Sequence, residues 1–333
     1  MSKSVRRLIF ITGGAGFIGC NLARSLTDSG HRVVISDWLG SDQKWRNLAG
    51  VPIDDLVYPE KTLEWLSRHA PEIDAILHMG AVSATTERDG DKVVHNNIRL
   101  TLDLWSLCSS NNIRFIYASS AATYGDGTYG FNDSEELGEI KRLRPLNAYG
   151  WSKWVIDRRL TTDVAEGFAR PPQWAGLRFF NVYGPYEDHK GEMRSVVNKI
   201  YPIVTSDQPV SLFKSYRHAC EDGQQKRDFI YVDDCVAVVR WLLEDPRVSG
   251  IFNVGTGEAR SFGDLALAVF SSVGKPPQIE FVEMPEELRD KYQYFTQAKT
   301  NKLREAGFSA RFASIEAGVA KYVQTYLAVC GRG

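Results

Sequence analysis

Leu8-Ile9-Phe10-Ile11-Thr12-Gly13-Gly14-Ala15-Gly16-Phe17-Ile18-Gly19 runs a short apolar stretch straight into a glycine-rich turn, and its reading decides the fold. Four apolar residues in a row suit a strand covered on both faces. Glycines at 13, 16 and 19 permit a tight turn, close approach of the backbone to a pyrophosphate, and close packing of the following helix. That helix carries Phe17, Ile18, Leu22, Ala23 and Leu26 on one face and stops at Ser29-Gly30. Val33-Val34-Ile35 reads as a second strand ending at Asp37, about twenty residues past the turn, where a carboxylate can accept from ribose hydroxyls. The unit is a complete β-α-β crossover with the helix amino terminus facing an anion. A glycine turn can join a strand to a helix without binding anything; the spacing and the terminal acid favour a dinucleotide.

The choice of cofactor turns on charge. Asp37 repels a 2′-phosphate unless it turns aside and a cation enters from the following loop. Lys44 is the candidate cation, with an ordinary solvated lysine as the alternative, so these residues leave NAD and NADP both possible. A chain of 333 residues, 43% hydrophobic and 24% charged with net charge -1, fits about two domains and shows no electrostatic footprint for nucleic acid or membrane. The five scattered cysteines lack a Cys-x-x-Cys spacing, and His218 with Cys220 does not make a metal site, so no metal is expected and the protein reads as cytoplasmic with reduced thiols. Residues 8–11 are too short for a signal-peptide core or a membrane span. There is neither an internal repeat nor a flexible linker, which predicts parts that interleave.

Further along, Ala75-Ile76-Leu77-His78 is a buried strand followed by Met79-Gly80-Ala81-Val82-Ser83, a small-residue stretch at the edge where open parallel sheets bind ligands. His78 reads as packing. Residues 93–109 have helical spacing with Asn96 and Asn97 inside, and one asparagine there can tie the helix to the cofactor loop. Phe115-Ile116-Tyr117-Ala118 delivers Ser119 and Ser120 at a strand end. In Asn147-Ala148-Tyr149-Gly150-Trp151-Ser152-Lys153 a phenol and an ammonium four residues apart share a helix face. A phenol titrates near ~10 and serves as acid and base at neutral pH only when positive charge stabilises the phenolate. Past this helix, residues 176–180 form a strand ending in Asn181-Val182-Tyr183-Gly184-Pro185, after which the regular alternation weakens and substrate-binding material begins. Residues 187–191 and 214–226 are polar loops. Strands are expected at 227–232, 251–254 and 279–282, and helices at 236–243, 262–273 and 315–327.

Thr-Gly-x-x-Gly-x-x-Gly at 12–19, Asp37, Ser119-Ser120-Ala121-Ala122-Thr123-Tyr124-Gly125, Tyr149 with Lys153, and Arg178-Phe179-Phe180-Asn181-Val182-Tyr183-Gly184-Pro185 come in the order found in extended short-chain dehydrogenases. The chain resembles that family over essentially its whole length. The resemblance implies an α/β fold with a Rossmann-type doubly wound parallel sheet and a smaller, interleaved carboxyl-terminal substrate lobe. It divides the chain into residues 1–180 plus about 228–258 for the dinucleotide and about 181–227 plus 259–333 for the substrate. It makes Tyr149 the acid and base, Lys153 the group that holds the nicotinamide ribose and lowers the phenol's pKa, and Ser120 the group that orients the reacting oxygen.

Four further stretches resemble one subfamily, the ADP-glycero-manno-heptose 6-epimerases: Ser83-Ala84-Thr85-Thr86-Glu87, His189-Lys190-Gly191, Lys226-Arg227-Asp228-Phe229 and Tyr292-Gln293-Tyr294-Phe295-Thr296-Gln297. There a bound NADP takes hydride from heptose C6, the ketone turns over, and the hydride returns to the opposite face. By this likeness the chain interconverts ADP-D-glycero- and ADP-L-glycero-D-manno-heptose for lipopolysaccharide core synthesis, as a homo-oligomer, pentameric in close members. Lys190 matches a second acid and base. The implied cofactor set is Gly13, Gly16, Phe17, Ile18, Gly19, Asp37, Trp38, Lys44, Met79, Gly80, Ala81, Val82, Ser83, Asn96, Tyr149, Lys153, Val182 and Lys190. The implied substrate set is Ser83, Ser120, Asn181, Glu192, Lys199, Phe213, Lys214, Ser215, Tyr216, Arg227 and Tyr292, with Arg227 on the pyrophosphate.

Met79 stands where the subfamily pattern has a glutamate, Glu192 where it has a serine, and Lys199 where it has a histidine. Sugar 4,6-dehydratases place an Asp-Glu pair after the serine; Ala121 and Ala122 here speak against dehydration. A UDP-sugar 4-epimerase shares the serine, tyrosine and lysine and is the enzymatic alternative. A non-catalytic NADP-binding regulator is the non-enzymatic one, and such proteins typically lose the tyrosine.

Overall fold

Strands covered on both faces need helices on both sides of the sheet, and the chain supplies them. The computed structural model describes residues 6–41, 43–218, 220–289 and 293–330. Its larger sheet contains β1 (Leu8–Thr12), β2 (Arg32–Ser36), β3 (Asp55–Val57), β4 (Ile73–His78), β5 (Arg114–Ser120), β6 (Trp174–Phe179) and, later in the chain, Gly250–Val254. Two smaller sheets use β7 (Asn181–Tyr183), β8 (Val210–Phe213), β9 (Lys226–Tyr231), β11 (Ala259–Ser261) and β12 (Ile279–Val282), so Gly250–Val254 is β10. The large sheet has the order β10-β6-β5-β4-β1-β2-β3. β1 pairs in parallel with β2 on one side and β4 on the other, and the pairs β2–β3 and β4–β5 are parallel too. The order in which successive strands are added therefore reverses at β1, which opens a crevice at the carboxyl ends of β1 and β4.

The chain divides into two compact units. The first takes in the described residues up to Gly125, then Asp133–Arg178 and Val236–Phe252. Its core is aromatic, with the Trp105 ring edge-on to Phe115 and Trp174 at 6.2 and 5.7 Å. Helix Phe17–Asp28 buries Phe17, Leu22, Ala23 and Leu26 as the periodicity requires, but Ile18 is partly exposed at the crevice. The helix expected over 93–109 starts earlier, at Gly90, and runs to Asn111 with a wider i→i+5 turn over Val94–Arg99.

The second unit takes in Asp126–Asn132, Phe179–Cys235 and the described residues from Asn253 onward. β9 is its spine, parallel to β7 and antiparallel to β11. β8 and β12 form a separate parallel pair. Three of its helices start on serine caps: Ser195 for Val196–Thr205, Ser261 for Phe262–Val273 and Ser314 for Ile315–Tyr322. Ser261 adds a reciprocal box with Asp264, satisfying two amide groups at once. Asn181 does not finish the preceding strand as the sequence reading has it. The Phe180 amide turns to the Val254 carbonyl, and Asn181–Tyr183 begins a new strand beside β9.

Candidate active site

The glycine turn sits where β1 and β4 part. Gly13 has φ +65, and a Cβ on it would lie 2.5 Å from the Gly80 Cα, so both segments need a bare backbone there. Gly19 packs against the Gly13 carbonyl with no room for a side chain. No side chain caps the first turn of helix Phe17–Asp28, which leaves its amide end suited to an anion. Asp37 is buried, and both carboxylate oxygens are engaged: the Ala15 amide donates to one at 2.9 Å, and Lys44 Nζ donates to the other at 2.6 Å. Lys44 also donates to the Trp38 carbonyl at 2.9 Å, while the Trp38 ring is half-exposed and donates to Glu60. Asn47 donates to the Ala15 carbonyl, tying this loop to the glycine turn.

At the end of β4, Thr12 and Thr101 hydroxyls hold the two nitrogens of His78 at 2.6 and 2.9 Å. Burial, helped by the charge of Lys153, pushes His78 down to about 3, so it stays neutral as a packing residue. The following stretch 79–83 is held by Asn97: the Val82 amide donates to its Oδ1 at 2.8 Å, and its Nδ2 donates to the Val82 carbonyl at 3.0 Å. Asn97 Nδ2 also donates to Ser152 Oγ, which donates to the Tyr149 carbonyl. The tie between helix and loop therefore belongs to Asn97, while Asn96 donates back to the Lys92 carbonyl. Ser83 is exposed.

Helix Ala148–Ala165 starts on Asn147, whose side chain accepts from the Gly150 amide. A Cβ at Gly150 would lie 2.7 Å from the Ala122 carbonyl, so glycine lets this helix press onto the turn after β5. The pressing brings the half-buried Tyr149 to hydrogen-bonding reach of Ser120. Burial raises the phenol above its ordinary value, the Ser120 hydroxyl pulls it down, and the charge of Asp157 pushes it up again. Lys153, one turn on, is 2% exposed, and burial takes it down to about 8 against the opposing pull of Asp157. The sequence reading missed Asp157, although it stands one further turn along the same face. Its carboxylate is fully buried and accepts from Tyr117 at 3.0 Å, Ser119 at 2.8 Å and Arg178 Nε at 2.8 Å.

In the second unit, Lys190 lies on the turn Asp188–Met193, where burial lowers its ammonium and Glu187 acts to raise it. Glu187 is itself buried and accepts from the Ser195 amide and hydroxyl at 2.6 and 2.5 Å and from Tyr322 at 3.2 Å. Two of the three departures from the subfamily pattern meet here: Lys199 Nζ donates to Glu192 at 3.1 Å, with the Glu192 side chain 93% exposed. A surface pair of this kind adds little stability. Val182 and the exposed Asn181 lie on β7. Beyond Phe213, the Ser215 amide donates to Asp222, and Lys214 and Tyr216 both donate to Glu283. Arg227 is buried on β9, with its guanidinium 5.7 Å from the Phe262 ring centre. Tyr292 lies outside the described residues.

The model of the NAD dependent epimerase/dehydratase family matches residues 9–255. The chain belongs to that family. It is 47% identical over 96% of its length to ADP-L-glycero-D-manno-heptose-6-epimerase of Nitratidesulfovibrio vulgaris (strain DP4), covering 98% of that protein. The protein of the same name from Fusobacterium nucleatum is 44% identical over 96% of this chain and 98% of its own. Among solved structures, Helicobacter pylori ADP-L-glycero-D-manno-heptose-6-epimerase superposes with a TM-score of 0.80 at 27% identity, covering 96% of each chain.

A member of this family uses a nicotinamide cofactor, and the first unit fits one. Its bare glycine turn, the uncapped helix end and the buried Asp37 all stand at the carboxyl edge of the sheet, with stretch 79–83 beside them. Among the described residues no group of His, Cys, Asp and Glu is placed to hold a metal, and no helix is long and apolar enough to cross a membrane.

Proposed function

We propose that this epimerase-family enzyme interconverts ADP-D-glycero- and ADP-L-glycero-D-manno-heptose by transient oxidation at heptose C6. One observation carries the reading: Tyr149 hydrogen-bonds Ser120 with Lys153 one turn on, in a chain 47% identical over 96% of its length to a protein named for that reaction. The bound cofactor supplies a reversible acceptor for the hydrogen at C6. Tyr149 takes the proton of the sugar hydroxyl and later returns it to the ketone oxygen, and Ser120 fixes that oxygen by a second hydrogen bond. Lys153 holds the nicotinamide ribose and lends positive charge that favours the phenolate, while the Ser120 hydroxyl opposes the burial that raises the phenol. Lys190 serves the opposite face; its lowered ammonium supports a role in proton exchange. In this reading the first unit takes the dinucleotide, and the second takes the nucleotide sugar through Asn181 and Arg227.

NADP is the proposed cofactor. Asp37 is turned in toward the Ala15 amide, and Lys44 brings positive charge to the loop where a 2′-phosphate belongs. Cytoplasmic placement and a homo-oligomer, the pentamer first among candidates, complete the reading. Proton NMR of the purified protein with ADP-D-glycero-D-manno-heptose and no added cofactor tests it, with mass spectrometry of the nucleotide it carries. The L-glycero epimer and NADP are expected. An untouched heptose under conditions where UDP-hexoses are epimerised would replace the substrate assignment, and bound NAD would replace that of the cofactor.

A further inference from the structure

The face of helix Ala148–Ala165 that carries Tyr149 and Lys153 continues, at the same four-residue step, to Asp157. An aspartate at 0% exposure needs a reason, because burying a carboxylate costs several kcal/mol unless donors replace its water. The donors arrive from two adjacent strands. Tyr117 and Ser119, two residues apart on β5, reach one oxygen each, and Arg178 on β6 donates through Nε. Gly176, also on β6, leaves the space that the Tyr117 hydroxyl occupies. Arg178 is itself fully buried, donates to the Tyr124 hydroxyl at 2.9 Å and lies 4.8 Å from that ring centre. The arrangement is more elaborate than a core needs, since apolar residues of equal volume fill such a site at no loss of stability.

We propose that Asp157 is a positioning residue: a buried carboxylate, fixed by Tyr117, Ser119 and Arg178, whose negative charge keeps the neighbouring Lys153 ammonium charged. The proposal rests on the reading of Tyr149 and Lys153 given above. The groups tied to Lys153 and to Asp157 leave this task to Asp157. On its own helix stand Tyr149 and Asp157. From β4 comes His78, neutral between two threonines. From β5 and the turn after it come Tyr117 and Tyr124, both driven up first by burial and so uncharged. From β6 comes Arg178, a cation that opposes a second cation. Asp133 and Glu135 act on Tyr124 and Tyr117 from farther out.

The test follows the lysine itself. Carbon NMR of lysine labelled at Cε, with the Lys153 signal assigned by its loss in Lys153→Met, gives the titration of this one group. In Asp157→Asn its midpoint is expected to fall by about one unit or more, roughly a tenfold change in the charged-to-neutral ratio. Asp157→Glu should restore it. Because Asp157→Asn leaves Arg178 buried without its counter-charge, Asp157→Asn/Arg178→Met is made alongside and, read against Arg178→Met, which lacks the same opposing cation, should show the same fall. An unmoved midpoint in either folded variant would overturn the proposal, leaving Asp157 a structural residue. The alkaline limb of the turnover profile should move down with the midpoint. If Tyr149→Phe turns over normally, the catalytic reading fails while the lysine titration still decides the role of Asp157.

Discussion

Each unit holds a fully buried aspartate, and the two are satisfied in different currencies. Asp157 in the first unit accepts from side chains: a phenol, a hydroxyl and a guanidinium. Asp228 in the second accepts mostly from main chain: the Thr256, Gly257 and Ala298 amides at 2.7 to 2.9 Å, together with the Thr256 hydroxyl. Main-chain donors fix the path of loops, so Asp228 staples the turn after β10 and the segment at 298 to β9. Side-chain donors instead hold the Asp157 carboxylate in place, and its field reaches Tyr149 and Lys153. Equal burial thus serves architecture in one unit and electrostatics in the other.

The largest effect expected is on turnover. Tyr149→Phe should lose roughly 10²- to 10⁴-fold in kcat, the range for removing a general acid and base, with its urea midpoint close to wild type. Rapid-quench kinetics check this, and near-normal turnover would leave the side-chain network of the first unit with nothing to serve. Next comes the staple. Asp228→Asn, with its NH2 on the side of the Thr256 hydroxyl, leaves the Thr256 amide unpaired and should cost about 1–3 kcal/mol. Urea unfolding measures the loss; the Lys153 titration should not move, and a displaced Lys153 midpoint would break the contrast between the two aspartates.

The last effect concerns His78, the neutral neighbour of Lys153. Its folded value of about 3 lies below the ordinary 6.5, so below pH 6.5 the unfolded chain takes up a proton that the folded one refuses. Stability from this group is complete above 6.5 and is lost as pH falls toward 3. Between pH 6.5 and 5 the wild type should lose about 2 kcal/mol more than His78→Gln. Parallel loss in both proteins would show that His78 gains its proton without unfolding the site.

Much of the first unit is legible in the sequence because its signals are local. A run of apolar residues, glycines at fixed steps and an acid at the next strand end describe β1, its helix and β2 with few competing readings. The Tyr149 and Lys153 pair is equally local, being one turn of one helix. Asn97 was harder to separate from Asn96, since both lie inside one helical segment and only its rotation, with the wider turn over Val94–Arg99, selects which side chain meets Val82. The partners of Asp228 were hidden for a different reason: a main-chain amide looks the same at every residue.

By itself the sequence determined the β-α-β unit, the glycine turn, the placing of Tyr149 and Lys153 on one helix face and the family, because each depends on residues a few positions apart or on resemblance along the chain. Tertiary structure alone decided that Asp37 turns in to Ala15 and Lys44, that Glu192 and Lys199 meet, and that Asp157 draws Tyr117, Ser119 and Arg178 together. Asp157 and Arg178 are 21 residues apart and meet only because β5 and β6 lie side by side under one helix. Strand order sets which side chains share a buried space, and a buried space sets how strongly their charges act on one another.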